Sequence, residues 1–223
     1  MPTLSEADSR RLVEDAGVAV SPWTTASDAG SAAEAAEALG LPVVVKLCGD
    51  AIAHKTERGL VRLGLSSRDE AGAAAADLLA AVCGWFDRRL DVALDPAQVG
   101  ACIGSKELVV GLPQVLRLRD PSCDTVLYPS ISYPSYAMGA ELAGCRAVPV
   151  PVDADWRLDL SAIDEADAER ALGLWVNTPG NPAGALDDLG AEAAWGRERG
   201  IPVLSDECYV EFTWDGPPRS VLR

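Results

Sequence analysis

A chain of 223 residues, 48% of them apolar, is long enough to build one sizeable core or two small ones, which excludes disorder for the chain as a whole. A formal net charge of −15 repels nucleic acid and anionic membrane surfaces, so neither is an expected partner. The opening MPTLSEADSRRLVEDAG has no basic region followed by an apolar core, and no apolar run is long enough to span a bilayer, so a soluble, cytoplasmic protein is expected.

In chain order, Leu12, Val13 and Ala16 recur at helical spacing after Ser5, with Glu6 and Asp8 suited to a helix N-terminus, and predict a helix over 5–16. Residues 27–39 predict an Ala-rich helix opened by Ser27 and closed by Gly40. The β-branched run in LPVVVKLCG predicts a buried strand from which Lys46 emerges, and the alternation at Leu60, Arg62, Leu63 and Leu65 predicts a second strand pairing with it. A helix is expected from Ser67, and the texture of the sequence changes within it, near 77–84.

Beyond residue 98, apolar runs alternate with helical segments: VGACIG, KELVVGLPQVLRL, DTVLYPS, SYAMGAELAG, RAVPVPV, DLSAIDEADAERA, LGLWVNT, LGAEAAWGRERG and IPVLSDE. That alternation predicts βα units, a mostly parallel sheet with flanking helices, and an α/β fold whose ligands bind at the carboxyl ends of the strands.

Polar residues do follow four of these runs: Gly104, Ser105 and Lys106 in ACIGSKE; Tyr133 in VLYPSISYP; Asn177 and Asn181 in LWVNTPGNPAG; and Asp206 and Tyr209 in PVLSDECY. A Gly-Ser pair opening a helix offers N–H groups and a positive dipole end to an anion. An Asp ending a buried strand needs a cation or donors. Together they suit a flat, phosphorylated, basic heterocycle. Taken singly, Gly104 and Ser105 make an ordinary helix entry, and Tyr133 or Tyr209 an ordinary half-buried aromatic.

The six cysteines, Cys48, Cys83, Cys102, Cys123, Cys145 and Cys208, lie too far apart for zinc-site spacings and are expected to be scattered buried thiols. No metal site is expected. Asp187 and Asp188 are expected on a solvated helix face near a cap, and WDGPP is expected to turn. With one histidine, His54, in a different segment, no nucleophile–His–acid set can be assembled.

From about Cys83 onward, GSKELV, YPSISYPSYAMGA, NTPGNPAG and SDECYVEF resemble, in order and spacing, the large domain of class I/II pyridoxal-phosphate aminotransferases of fold type I, closest to the succinyldiaminopimelate aminotransferase branch. The resemblance implies that backbone amides at Gly104, Ser105 and Lys106 bind the cofactor phosphate and that Tyr133 stacks on its ring. It also implies that Asn181 and Tyr209 donate to the ring oxygen and that Asp206 pairs with the pyridinium N–H. The chain has lysine only at positions 46, 55 and 106, so the lysine that forms the Schiff base is expected to be missing, together with the small domain. On this reading the large domain is truncated and catalytically incomplete, with no catalytic residue of its own.

The leading part differs. LSEADSRRLVEDAGVAVSPW and KLCGDAIAHKTERGLVRLGL resemble the start of the ATP-grasp domain of NDP-forming acyl-CoA synthetases, which implies nucleotide phosphate contacts at Lys46 and a closing loop at His54 and Lys55. Without the resemblance, His54 is a solvated histidine and Lys46 an edge-strand lysine. The expected organisation is an ATP-grasp-like segment over 1–80 joined to an aminotransferase large-domain fragment over 81–223. The expected function is amino-group transfer by ancestry, acting on an amino acid or 2-oxo acid and using pyridoxal 5′-phosphate. The alternatives are an ATP/Mg-binding fragment of a ligase and a non-catalytic fusion remnant. Apolar faces left uncovered imply a homodimer or aggregation.

Overall fold

The computed structural model describes residues 6–47, 60–100, 102, 104–214 and 216–223. Two compact units divide at residue 105, Met1–Ser105 and Lys106–Arg223.

The first unit carries α1 (Glu6–Asp15), α2 (Ala29–Leu39), an antiparallel pair β1 (Val43–Lys46) and β2 (Val61–Leu65), and α3 (Arg68–Leu90). The expected start of α2 at Ser27 is corrected by one residue. Asp28 caps the helix, its Oδ1 accepting from the Ser31 N–H at 2.7 Å while Ser31 Oγ accepts from the Asp28 N–H. Gly40 closes it with φ 87, a conformation that favours glycine. Ser67 caps α3 by accepting from the Glu70 N–H at 3.1 Å. Small residues bring α2 and α3 together: a Cβ at Gly72 would stand 3.3 Å from the Ala29 carbonyl oxygen. The predicted pairing of β1 with β2 is present. The expectation that β1 is buried is not met, because Val43–Lys46 alternates half-buried and exposed residues in a two-stranded ribbon. The 23-residue helix α3 runs without a break through 77–84.

The second unit is a four-stranded parallel sheet in the order β4-β3-β5-β6, built from β3 (Thr125–Pro129), β4 (Arg146–Val150), β5 (Ala171–Asn177) and β6 (Val203–Asp206). Its helices are α4 (Ser105–Arg119), whose first residue closes the preceding unit, then α5 (Ser135–Leu142), α6 (Glu165–Ala168) and α7 (Leu189–Arg199). The expected α/β architecture with a parallel sheet is what forms. VGACIG does not add a strand among its described residues, and the chain enters α4 directly.

Every residue of β5 is buried, as a central parallel strand covered on both faces requires. One core cluster joins Leu127, Val150, Leu174, Val176, Leu189 and Trp195; the other joins Val109, Val126, Tyr136, Ala140, Leu172 and Trp175. Leu172 and Trp175 share a cluster although three residues apart. The register of β5 against β3 slips between Ala171 and Gly173 and so turns the side chains over once.

Of the five described cysteines only Cys145 is buried; Cys102 and Cys208 are exposed, correcting the expectation of buried thiols, and Cys48 lies outside the described residues. Among the described residues no helix is long and apolar enough to cross a membrane, and no group of His, Cys, Asp or Glu is placed to hold a metal ion.

Candidate cofactor site

The strand order places a reversal of winding at the sheet centre: from β3 the chain moves outward to β4, then returns to the other side of β3 as β5 and continues to β6. In such sheets the crevice beyond the carboxyl ends of the two central strands is where ligands bind. Tyr133 follows β3, Asn177 ends β5, and Asp206 ends β6, where it is the register partner of Asn177.

Asn177 binds to both sides. Its Nδ2 donates to the Asp206 carbonyl oxygen at 2.8 Å, and its Oδ1 accepts from the Asn181 N–H at 2.9 Å. The Pro/Gly loop is held by its own bonds: Gly180 N donates to Ala185 O at 2.9 Å, Asp187 N donates to Thr178 Oγ1 at 3.0 Å, and Gly184 turns with φ 71. The loop thus holds the Asn181 side chain, whose Nδ2 donates to the Tyr209 hydroxyl oxygen at 3.0 Å. Among the described residues, the Tyr209 O–H and the second amide N–H of Asn181 remain as donors.

Asp206 is half-buried, and both its carboxylate oxygens accept hydrogen bonds: Oδ1 from the Cys208 N–H at 3.2 Å and Oδ2 from the Tyr136 hydroxyl at 2.8 Å. Tyr136 is only 2% exposed. Burial, and after it the neighbouring Asp206 charge, pushes its phenol far up, so it stays a donor across the accessible pH range. Cys208 is likewise pushed up to about 12, by desolvation first and then by Asp206.

Tyr133 is exposed on the turn before α5, and the Lys106 ammonium lies 5.0 Å from its ring centroid. Ser105 opens α4, and the preceding Gly104 is buried. Of the expected residues, the structure links Asn181 to Tyr209 and Lys106 to Tyr133, and puts Asp206 beside the strand end that orients Asn181. His54 and Lys55 lie outside the described residues, and Lys46 is exposed at the end of β1.

Sequence reasoning passed over Asn177 as a clamp and Tyr136 altogether. The available signal for Tyr136 was its place in the first turn of an apolar helix, where a buried phenol needs a partner. The adjacent acids were half misread. Asp188 caps α7, its Oδ1 accepting from Ala191 N, whereas Asp187 is buried and accepts from the Leu158 N–H at 2.9 Å. A cavity of about 640 Å³ opens at the opposite, amino-terminal edge of the sheet beside Cys123, Ala171 and Pro202, and none of the converging residues lines it.

Comparison with known proteins shows the families to which the chain belongs. The family model for the ATP-grasp domain matches residues 2–114, and that for aminotransferase class I and II matches residues 67–222. A probable aminotransferase of Mycobacterium tuberculosis is 33% identical over 218 residues, spanning 93% of this chain and 48% of the relative. An LL-diaminopimelate aminotransferase of Desulforudis audaxviator is 41% identical over 146 residues, spanning 62% of this chain and 36% of the relative. The structure of a probable N-succinyldiaminopimelate aminotransferase from Thermus thermophilus superposes with a TM-score of 0.57 at 33% identity, over 65% of this chain and 39% of that one. The chain spans less than half the length of these relatives. By these matches the chain belongs to the aminotransferase class I and II family over residues 67–222, with a fold type I sheet, and to the ATP-grasp domain family over residues 2–114.

Proposed function

We propose that residues 81–223 form the cofactor-binding part of a pyridoxal 5′-phosphate-dependent aminotransferase acting on an amino acid and a 2-oxo acid. The observation that carries this reading is the carboxylate of Asp206, fixed at the sheet's carboxyl edge by Tyr136 and the Cys208 N–H beside the Asn181–Tyr209 donor pair. The donor set fits the group. A carboxylate with two bonds made keeps acceptor positions for a cationic ring N–H, two donors remain on Asn181 and Tyr209 for a ring oxygen, and Tyr133 offers an aromatic face. Gly104, Ser105 and Lys106 would take the phosphate at the start of α4, a 15-residue helix. Bound there, the cofactor supplies an electron sink for the α-carbon of an amino acid. The chain's own part is to hold the ring and keep its nitrogen protonated through Asp206. The names of the relatives favour a diaminopimelate-type amino acid, as in lysine biosynthesis.

Absorbance titration of the purified chain with pyridoxal 5′-phosphate tests the reading. Saturable binding that weakens in Asp206→Ala is expected, and no saturable binding by the wild type would overturn it. Borohydride reduction followed by mass measurement reports whether Lys106 or another amine of the chain becomes attached. Self-association through exposed Met138, Leu142 and Phe212 goes with the reading, and size-exclusion chromatography checks it.

A second reading concerns residues 1–80 and is carried by the ATP-grasp match and by Lys46 exposed on its strand. It has this segment bind a nucleotide phosphate, with the junction to the aminotransferase part inside α3. A rise in melting temperature with Mg-ATP is expected, and no rise at millimolar nucleotide would remove this reading.

A further inference from the structure

Asp206 is held from three elements at once. β5 supplies Asn177 to its carbonyl oxygen, the turn after β6 supplies the Cys208 N–H to Oδ1, and α5 supplies the Tyr136 hydroxyl to Oδ2. The first two donors belong to the strand ends and fix the backbone and one oxygen. Only the third comes from a side chain of a separate helix, and it holds the second carboxylate oxygen.

That side chain has little room to move. The Tyr136 ring packs against Trp175 with centroids 5.3 Å apart and planes tilted by 34°. Its helix is pressed onto α4 at Gly139, where a Cβ would come within 3.0 Å of the Val109 carbonyl oxygen and of Val110 backbone atoms. A buried phenol held by its packing acts as a rigid donor, and a carboxylate oxygen that accepts from it is fixed in direction.

The geometry assigns Tyr136 the part of a positioning residue: its hydroxyl fixes the rotation of the Asp206 carboxylate so that the remaining acceptor positions face the cationic N–H of an aromatic heterocycle. The assignment rests on the pyridoxal-phosphate reading and adds to it a residue that does not touch the cofactor.

The test compares pyridoxal 5′-phosphate with its 1-deaza analogue, in which a C–H replaces the ring nitrogen, as ligands of the full chain and of Tyr136→Phe. A role in positioning Asp206 affects only the ligand that has the ring N–H. The wild type is expected to prefer the pyridine over the deaza compound, and that preference is expected to shrink about tenfold in Tyr136→Phe, the size of one charge-assisted hydrogen bond. Loss of affinity for both ligands by the same factor, leaving the preference intact, would show Tyr136 to be structural only and overturn the assignment. Asp206 is half-buried, so water can replace the lost donor and the phenylalanine variant is expected to fold. If it does not, Tyr136→Met, which fills the space with a flexible apolar chain and no donor, gives the same comparison. Binding of neither ligand by the wild type would remove the cofactor reading itself, a result distinct from an unchanged preference.

Discussion

Glu192 should make the protein lose stability as pH rises through neutrality. It lies in the first turn of α7, is 2% exposed, and its Oε2 has no hydrogen-bond partner among the described residues. Desolvation, then the charges of Asp187 and Asp188, push its carboxyl up from 4.5 to about 8. The unfolded chain releases this proton near 4.5 while the folded chain keeps it to about 8, so between those values the native state binds one proton more. The contribution is fully present below pH 4.5, falls through the interval at about 1.4 kcal/mol per unit, and is exhausted above about 8, a total of roughly 5 kcal/mol. That is comparable with the whole stability of many domains. Carboxylates with lowered values, such as Asp120 and Asp124, titrate below 3.8, and the raised Cys208 and Tyr136 start from 9.0 and 10.0, so all four fall outside the window. The assay is urea unfolding followed by near-ultraviolet circular dichroism from about pH 5 to about pH 8, on the wild type and Glu192→Gln. The amide copies the neutral acid, so the variants should match near pH 5 and the glutamine form should be clearly more stable near pH 8. Asp187, which burial also raises, acts with the same sign in both proteins. Parallel curves for the two proteins would refute the argument.

Three further outcomes are expected. Gly196→Ala places a Cβ 2.6 Å from Val203 Cγ2 and 2.7 Å from the Ile201 carbonyl oxygen, so it should destabilise the second unit by about 1–3 kcal/mol in urea unfolding. Asn177→Ala strands the Asn181 N–H and the Asp206 carbonyl oxygen, costing about 1–3 kcal/mol and weakening pyridoxal 5′-phosphate binding in the absorbance titration. Ser67→Ala removes the cap of α3 and should cost about 0.5–2 kcal/mol in thermal unfolding, with cofactor binding unchanged.

The central strands were legible because their physics is local: a run such as ALGLWV, buried at every position, is continuously apolar, and Gly40 beyond α2 adopts φ 87 where a helix stop was expected. Elements whose form depends on distant partners were not. The DEADAER stretch reads as a longer helix than the four residues of α6, because Asp164 caps the helix and Ala171 is already in β5. Asp187 and Asp188 are indistinguishable by neighbourhood, yet one is buried by a bond to the N–H of Leu158, 29 residues earlier. In the site, Asp206, Asn181 and Tyr209 could be named because they lie in compact motifs. The phenol that binds Asp206 comes from 70 residues away, and only the folded sheet brings the two together.

The Asn177 clamp also makes the site a gauge of strand register. The amide that ties β5 to β6 is the one that orients Asn181, and Asn177 faces Asp206 only in the observed pairing. A slip of one residue would set Val176 or Thr178 opposite Asp206 and turn every neighbouring side chain to the other face. A misregistered sheet, even one that stayed compact, would therefore lack the aligned carboxylate, and ligand affinity would count correctly paired molecules where circular dichroism counts all folded ones.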